Sequence, residues 1–219
     1  MEIVLEQIKP DIIVLTEHNM KEIELERFNI NKFLVTSQYS RTTTSGGGVV
    51  ILSGEGLISK SLTLKKVEDL TEDKVFECCL AKYKINKWSF VLVGIYKTPQ
   101  MQNLEFLNRL DKLIEILVSL KDENNFIIAG DFNINVLNST VETKSFKNIL
   151  KSHGFHYLVD FPTRVSSKTA TAIDNVLTNL NQSMTKITGV VTALSDHDGQ
   201  FLELTLPKFR KFENTYEYI

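Results

Sequence analysis

The sequence predicts an α/β chain of mixed β-sheets covered by helices, and three observations carry that expectation. Short apolar runs dense in β-branched and aromatic residues recur along the chain, at spacings that suit both hairpins and crossovers. Between them, two segments repeat apolar residues every three or four positions, as the buried face of a helix does. No stretch rich in Pro, Gly or Ser divides these runs, so residues 1–207 read as one domain and 208–219 as a C-terminal tail without periodicity.

The elements follow in order. Residues 2–9 place Ile3, Val4, Leu5 and Ile8 at near-helical spacing, and Pro10 ends the pattern. Residues 11–16 form a continuous apolar run, expected as a strand covered on both faces, whose far end delivers Glu17 and His18. The Gly46-Gly47-Gly48 cluster leads into a strand over 48–53, and strands over 74–84 and 88–96 read as a hairpin around Asn86. A helix is predicted over 103–120 on Leu107, Leu110, Leu113, Ile114 and Leu117. A buried strand over 126–129 ends in Gly130-Asp131-Phe132-Asn133. A second helix over 142–152 buries Phe146, Ile149 and Leu150 and stops at Gly154. Strands resume over 173–178, 186–193 and 201–206, and no internal repeat is visible.

A net charge of -2 gives no basic footprint, so contacts to phosphates must be few or local. The chain opens without a signal-peptide pattern, and its apolar runs are too short to span a bilayer, so a soluble intracellular protein without a membrane partner is expected. Cys78 and Cys79 are adjacent on one strand and are expected to be reduced structural thiols.

Polar groups gather where apolar strands stop: Glu17, Tyr96, Asp131 with Asn133, Asp174 with Asn175, and Ser195-Asp196-His197. Carboxylates brought together from separate strands repel one another, so such a cluster needs a cation or a shared proton, and magnesium fits. Each residue has a plain structural alternative. Glu17 suits a helix start, Asp131 and Asn133 suit a turn, Tyr96 suits an ordinary strand end, and 196–199 suit a turn before the last strand. Asp174 is the hardest to explain that way, because an acid inside Ile173-Asp174-Asn175-Val176-Leu177 needs a buried partner.

In combination, Leu15-Thr16-Glu17, Gly94-Ile95-Tyr96, Gly130-Asp131-Phe132-Asn133, Ile173-Asp174 and Ser195-Asp196-His197 resemble the endonuclease/exonuclease/phosphatase superfamily, over about residues 9–206. Within it, the segments Ser45-Gly46-Gly47-Gly48-Val49, Phe161-Pro162-Thr163-Arg164, Thr171-Ala172-Ile173-Asp174 and Leu194-Ser195-Asp196-His197 resemble the endonuclease domains of non-LTR retrotransposons most closely. The resemblance implies a four-layer sandwich of two packed mixed β-sheets flanked by helices. It also implies a first strand bearing a metal-binding Asn, which is expected to be absent here and to leave a row of unpaired backbone groups.

Roles follow from the same resemblance. Glu17 would hold Mg2+, with Mn2+ as a substitute, and Asp196 would add a metal or outer contact. Asp131 would orient or deprotonate the attacking water while Asn133 fixes it. His197, oriented by Asp174, would donate to the scissile phosphate, and Tyr96 would support the phosphate or leaving group. Thr163, Arg164 and Ser195 would contact the DNA. The expected activity is metal-dependent nicking of DNA, in the nucleus, with a reverse transcriptase domain of the same element as partner. The alternatives are a phosphatase acting on a phosphorylated lipid or small molecule, and an inactive truncated remnant.

Overall fold

The computed structural model describes residues 2–28, 30 and 32–207, so the expected tail over 208–219 lies outside the described residues. Helix α1 (Glu2–Ile8) leads to β1 (Ile12–Thr16), one helical turn α2 (Glu22–Leu25), β2 (Phe33–Tyr39) and β3 (Val49–Gly54). After β4 (Ile58–Ser61) and the turn α3 (Lys65–Glu68) comes the expected hairpin of β5 (Phe76–Ile85) and β6 (Trp88–Lys97). Asn86 turns it at φ 58°, a left-handed conformation that Asn tolerates. Helix α4 (Asn103–Val118) buries Phe106, Leu107, Leu110, Leu113, Ile114 and Leu117 along one stripe. β7 (Phe126–Asp131) and α5 (Val141–Ser152) follow, the helix capped by the Thr140 hydroxyl accepting from the Thr143 amide. The remaining elements are β8 (His156–Tyr157), β9 (Arg164–Val165), β10 (Ala170–Thr171), β11 (Asp174–Thr178), β12 (Thr185–Val190) and β13 (Gly199–Leu204).

One sheet has six strands in the order β4-β5-β6-β7-β11-β8. It is mixed because β6 and β7 run parallel, and α4 supplies the crossover that a parallel pair requires. Facing it are an antiparallel three-stranded sheet, β1-β3-β2, and a separate β12-β13 ladder. Three apolar clusters separate four layers. Phe106, Leu110, Phe126, Ile128 and Phe146 join α4 and α5 to the outer face of the six-stranded sheet. Cys79, Tyr83, Phe90, Leu92, Ile127 and Val176 meet Val49 and Ile51 between the sheets. Val50 and Leu52 pack outward against Leu25 and Leu5. Alternate residues of β3 therefore enter two different cores, which is why its sequence is apolar throughout. The same alternation puts buried Cys78 and Cys79 in different cores, free of a disulfide, with burial pushing the Cys78 thiol up to about 11.

Two features depart from the sequence pattern. β2 is not foreseen because Thr36, Ser37 and Gln38 interrupt its apolar residues, as suits a strand at the edge of a sheet. β1, expected to be fully covered, is only partly buried. It pairs with β3 on one side. Its other side lines a cavity of about 580 Å3, which β13 lines as well and whose floor includes Phe90, Leu92 and Ile127. Among the described residues no strand lies between β1 and β13.

Candidate active site

The inner face of the six-stranded sheet ends in a polar row. Glu77 on β5 lies opposite Tyr96 on β6, Tyr96 opposite Asp131 on β7, and Asp131 opposite Asp174 on β11. Paired residues in a sheet share a face, so all four side chains point toward the second layer. Two residues inward, the same strands carry Cys79, Gly94, Ala129 and Val176, with Cys79 and Val176 buried in the inter-sheet core. The row is thus where that core gives out. Gly130 makes the register possible: at φ 148°, a Cβ there would lie 1.9 Å from the Ile95 carbonyl oxygen.

Asp131 is 4% exposed, and its two oxygens accept from the Asn133 amide at 2.9 Å and from Asn133 Nδ2 at 3.0 Å. Asn133, at φ 45°, also donates through Nδ2 to the Lys97 carbonyl at 2.7 Å. Burial, and then the charge of Asp174, push the Asp131 carboxyl up to about 7. Asp174 accepts from His197 Nδ1 at 2.9 Å and from the Thr163 hydroxyl at 2.7 Å. The hydrogen bond to Asp174 raises the His197 imidazole above its ordinary value. One ligand atom each from Asp131, Asp174 and His197 lie within 4.8 Å of one another.

Glu17 completes the site from the opposite layer. It follows β1 at φ 53°, its amide donates to the Gly48 carbonyl at 2.8 Å, and its carboxylate accepts from the Tyr96 hydroxyl. Burial and that bond raise the Tyr96 phenol, and the charge of Glu17 adds to the negative field at Asp131. Glu17, Tyr96, Asp131, Asn133, Asp174 and His197 therefore lie together where the two layers meet.

Four further expected site residues lie around this cluster. Thr163 is fully buried, and its hydroxyl accepts from the Ile173 and Asp174 amides while donating to Asp174, so it braces that carboxylate from behind and cannot touch a substrate. Asp196 stands at the edge of the cluster: Arg164 holds one carboxylate oxygen, with Nε at 2.7 Å and Nη2 at 2.6 Å, and the other oxygen lies 3.9 Å from His197 Nε2. The same pair occupies the Arg164 fork expected for DNA. Ser195 bonds only to the backbone of His197, shaping the loop that carries the imidazole. Asn175, noted beside Asp174, is buried and ties β11 to Val159.

Two further residues escape sequence reasoning. Glu77 is fully buried at the end of the polar row and pairs with Arg41 at 2.6 Å. A lone acid two positions before Cys79, among the apolar residues of the strand, was the available signal for Glu77; Arg41, in a loop, carried none.

Residues 90–200, just over half of the chain, match the model of the family described as endonuclease-reverse transcriptase. The chain belongs to the endonuclease-reverse transcriptase family. Among solved structures, the fold is similar to the endonuclease domain of TRAS1, a telomere-specific non-LTR retrotransposon, with a TM-score of 0.68 at 16% identity over 94% of this chain and 91% of that one. It is also similar to humanized D. rerio TDP2, with a TM-score of 0.67 at 14% identity over 90% and 86% of the two chains. An endonuclease/exonuclease/phosphatase family protein from Leptotrichia buccalis gives 0.60 at 13% identity over 92% and 90%. No curated protein sequence matches the chain. The endonuclease-reverse transcriptase segment includes Tyr96, Asp131, Asn133, Asp174 and His197, whereas Glu17 and Arg41 precede it.

The donor set of this endonuclease-reverse transcriptase chain fits a hard divalent cation. Carboxylate oxygens of Asp131 and Asp174 lie within 4.8 Å of each other and of a His197 nitrogen, and Glu17 stands close enough for its charge to act on Asp131.

Proposed function

We propose that the chain is a magnesium-dependent phosphodiesterase that nicks DNA in the manner of a retrotransposon endonuclease. The observation that carries this reading is the convergence of Asp131, Asn133, Asp174 and His197 with Glu17 at the rim between the two sheet layers. Glu17 and Asp131 would hold the cation, which when bound neutralises phosphate oxygens and acidifies water.

The chain's own groups account for the rest. Asp131, its carboxylate aimed into the site and fixed by Asn133, would orient the attacking water and take its proton. Asn133 fixes the orientation of that carboxylate through two bonds. The water oxygen adds to phosphorus, the P–O3′ bond breaks, and the departing O3′ takes a proton from solvent, leaving a 3′-hydroxyl. His197 turns Nδ1 to Asp174, which leaves Nε2 as the donor to a phosphate oxygen, and its raised pKa favours the protonated form. Tyr96, in the same row as Asp131 and bonded to Glu17 of the opposite layer, supports the same phosphate. A 3′-hydroxyl left in chromosomal DNA suits priming by a reverse transcriptase, which argues for a nuclear site of action and for such a partner.

The test is a plasmid-nicking assay run beside phosphate release from phosphorylated lipids and small molecules. Supercoiled DNA is expected to relax to the open circle with Mg2+ or Mn2+ and to stay supercoiled in excess chelator. Full nicking in chelator would overturn the metal-dependent reading, and phosphate release without nicking would overturn the choice of DNA.

A further inference from the structure

Beside the site, a cleft of about 560 Å3 opens between Glu17 and Tyr96 on one side and Lys74, Thr98, Pro99 and Gln100 on the other, with Arg41 and Gly47 also in its lining. Arg41 is 8% exposed and held from two directions. Its Nε donates to Glu77 Oε1 at 2.6 Å and its Nη1 to the Ser45 carbonyl at 3.2 Å. Glu77 is committed in turn, accepting from the Lys74 amide at 3.0 Å and the Gly48 amide at 2.7 Å as well. Gly47 is the bed on which the guanidinium lies, since a Cβ there would stand 2.3 Å from Nη2.

Nη2 itself has no hydrogen-bond partner among the described residues. That edge is not among the sealed-off unpaired atoms, so it stays open while the rest of the guanidinium is pinned, and a buried ion pair is by itself a weak source of stability. The free edge belongs to a side chain that lines the cleft, close enough for its charge to act on the Tyr96 hydroxyl. Lys74 adds a second, exposed cation at the same cleft. An Arg fork fixed in this way suits the oxygens of a phosphate.

We infer that Arg41, locked by Glu77 and Gly47, is a phosphate-binding residue that grips the substrate strand on the Glu17 and Tyr96 side, with Lys74 facing the next phosphate. This rests on the DNA-nicking reading and extends it. The pinned guanidinium edge and Lys74 give a chain of net charge -2 a local grip on phosphate without a basic surface. It also explains the glycine at position 47, where any side chain would displace the guanidinium.

Two measurements in chelator, where no turnover occurs, test it. In the first, the Arg41 side-chain amide signals of 15N-labelled protein are followed as a DNA duplex or inorganic phosphate is added. Both are expected to shift them. In the second, the double variant Arg41→Met, Glu77→Gln removes both buried charges together, so that neither is left unpaired. It is expected to bind duplex about tenfold more weakly and to lower the slope of log K against log salt by about one phosphate's worth. Arg41 signals that move with neither ligand, or a folded double variant with parental affinity and salt slope, would overturn the inference. Signals that move with phosphate in a protein that does not bind duplex would uphold the phosphate site and sink the DNA reading instead.

Discussion

Asp131 and Asp174 stand on β7 and β11, strands with hydrogen-bonded neighbours on both sides, whereas Glu17 hangs from the end of β1, which has β3 on one side and a cavity on the other. Every residue of β11 is buried and every residue of β1 is only partly so. The floor of the site is thus fixed by the six-stranded sheet and its helices, while the wall that faces it is fixed by fewer contacts. Groups that must keep their geometry through a reaction sit on the better supported side. Groups that hold a cation, which organises its own ligands, can sit on the other.

The largest expected effects separate floor from wall. Asp131→Asn and His197→Ala are each expected to slow nicking by a factor of roughly a thousand or more at saturating DNA while leaving DNA affinity nearly unchanged, since their contribution lies in the transition state. Glu17→Gln is expected to raise the Mg2+ concentration needed for half-maximal rate by about tenfold, with a smaller loss once Mg2+ saturates. Single-turnover nicking over a Mg2+ series reads all three. An Asp131→Asn protein that nicks at the parental rate would reduce Asp131 to a turn residue.

A smaller effect is expected from behind the floor. Thr163→Val removes the hydroxyl that braces Asp174, and with it the orientation of His197, so a loss of about tenfold in kcat is expected with an unchanged KM. Thr163→Ser, which keeps the hydroxyl, is expected to restore the rate. Equal losses in the Val and Ser variants would show that the methyl group's packing, and not the hydrogen bond, matters there.

Floor and wall also differed in how much the sequence disclosed. β7 announces itself because its apolar run leaves no polar residue until the strand ends at Asp131, and Asp174 is conspicuous because a buried strand begins with an acid. The helices α4 and α5 are legible through the stripe each must bury. β2 and the split of the second layer were not legible, because an edge strand tolerates polar residues and pairing partners leave no mark in a single sequence. The side-chain partners of Thr163 and Arg164 were not legible for a related reason. Their proximity to the site is encoded in the chain, but whether a hydroxyl faces inward, or a fork is already taken by Asp196, depends on the fold.

The smallest expected effect is on stability, and it tests whether the floor is electrostatically strained. The folded protein holds the Asp131 carboxyl near 7, well above its ordinary value, because burial and Asp174 oppose its charge. A carboxyl raised by folding is bound more tightly to its proton in the folded state, so its share of stability is present below about pH 4 and lost as pH rises through about 7. His197 acts in the same direction, since its raised value means that its bond to Asp174 also weakens as the imidazole deprotonates. In chelator, Tm is therefore expected to fall by roughly 5 °C or more between pH 5 and pH 8. Asp131→Asn, uncharged throughout, is expected to flatten the profile and to melt above the parental protein at pH 8. Mg2+ is expected to raise the parental Tm at pH 8 and to do less for the variant, because the cation and the lost charge relieve the same repulsion. Parallel profiles for the two proteins, with Mg2+ acting equally on both, would mean that the negative field at Asp131 is already balanced by the fold and that the floor needs no cation.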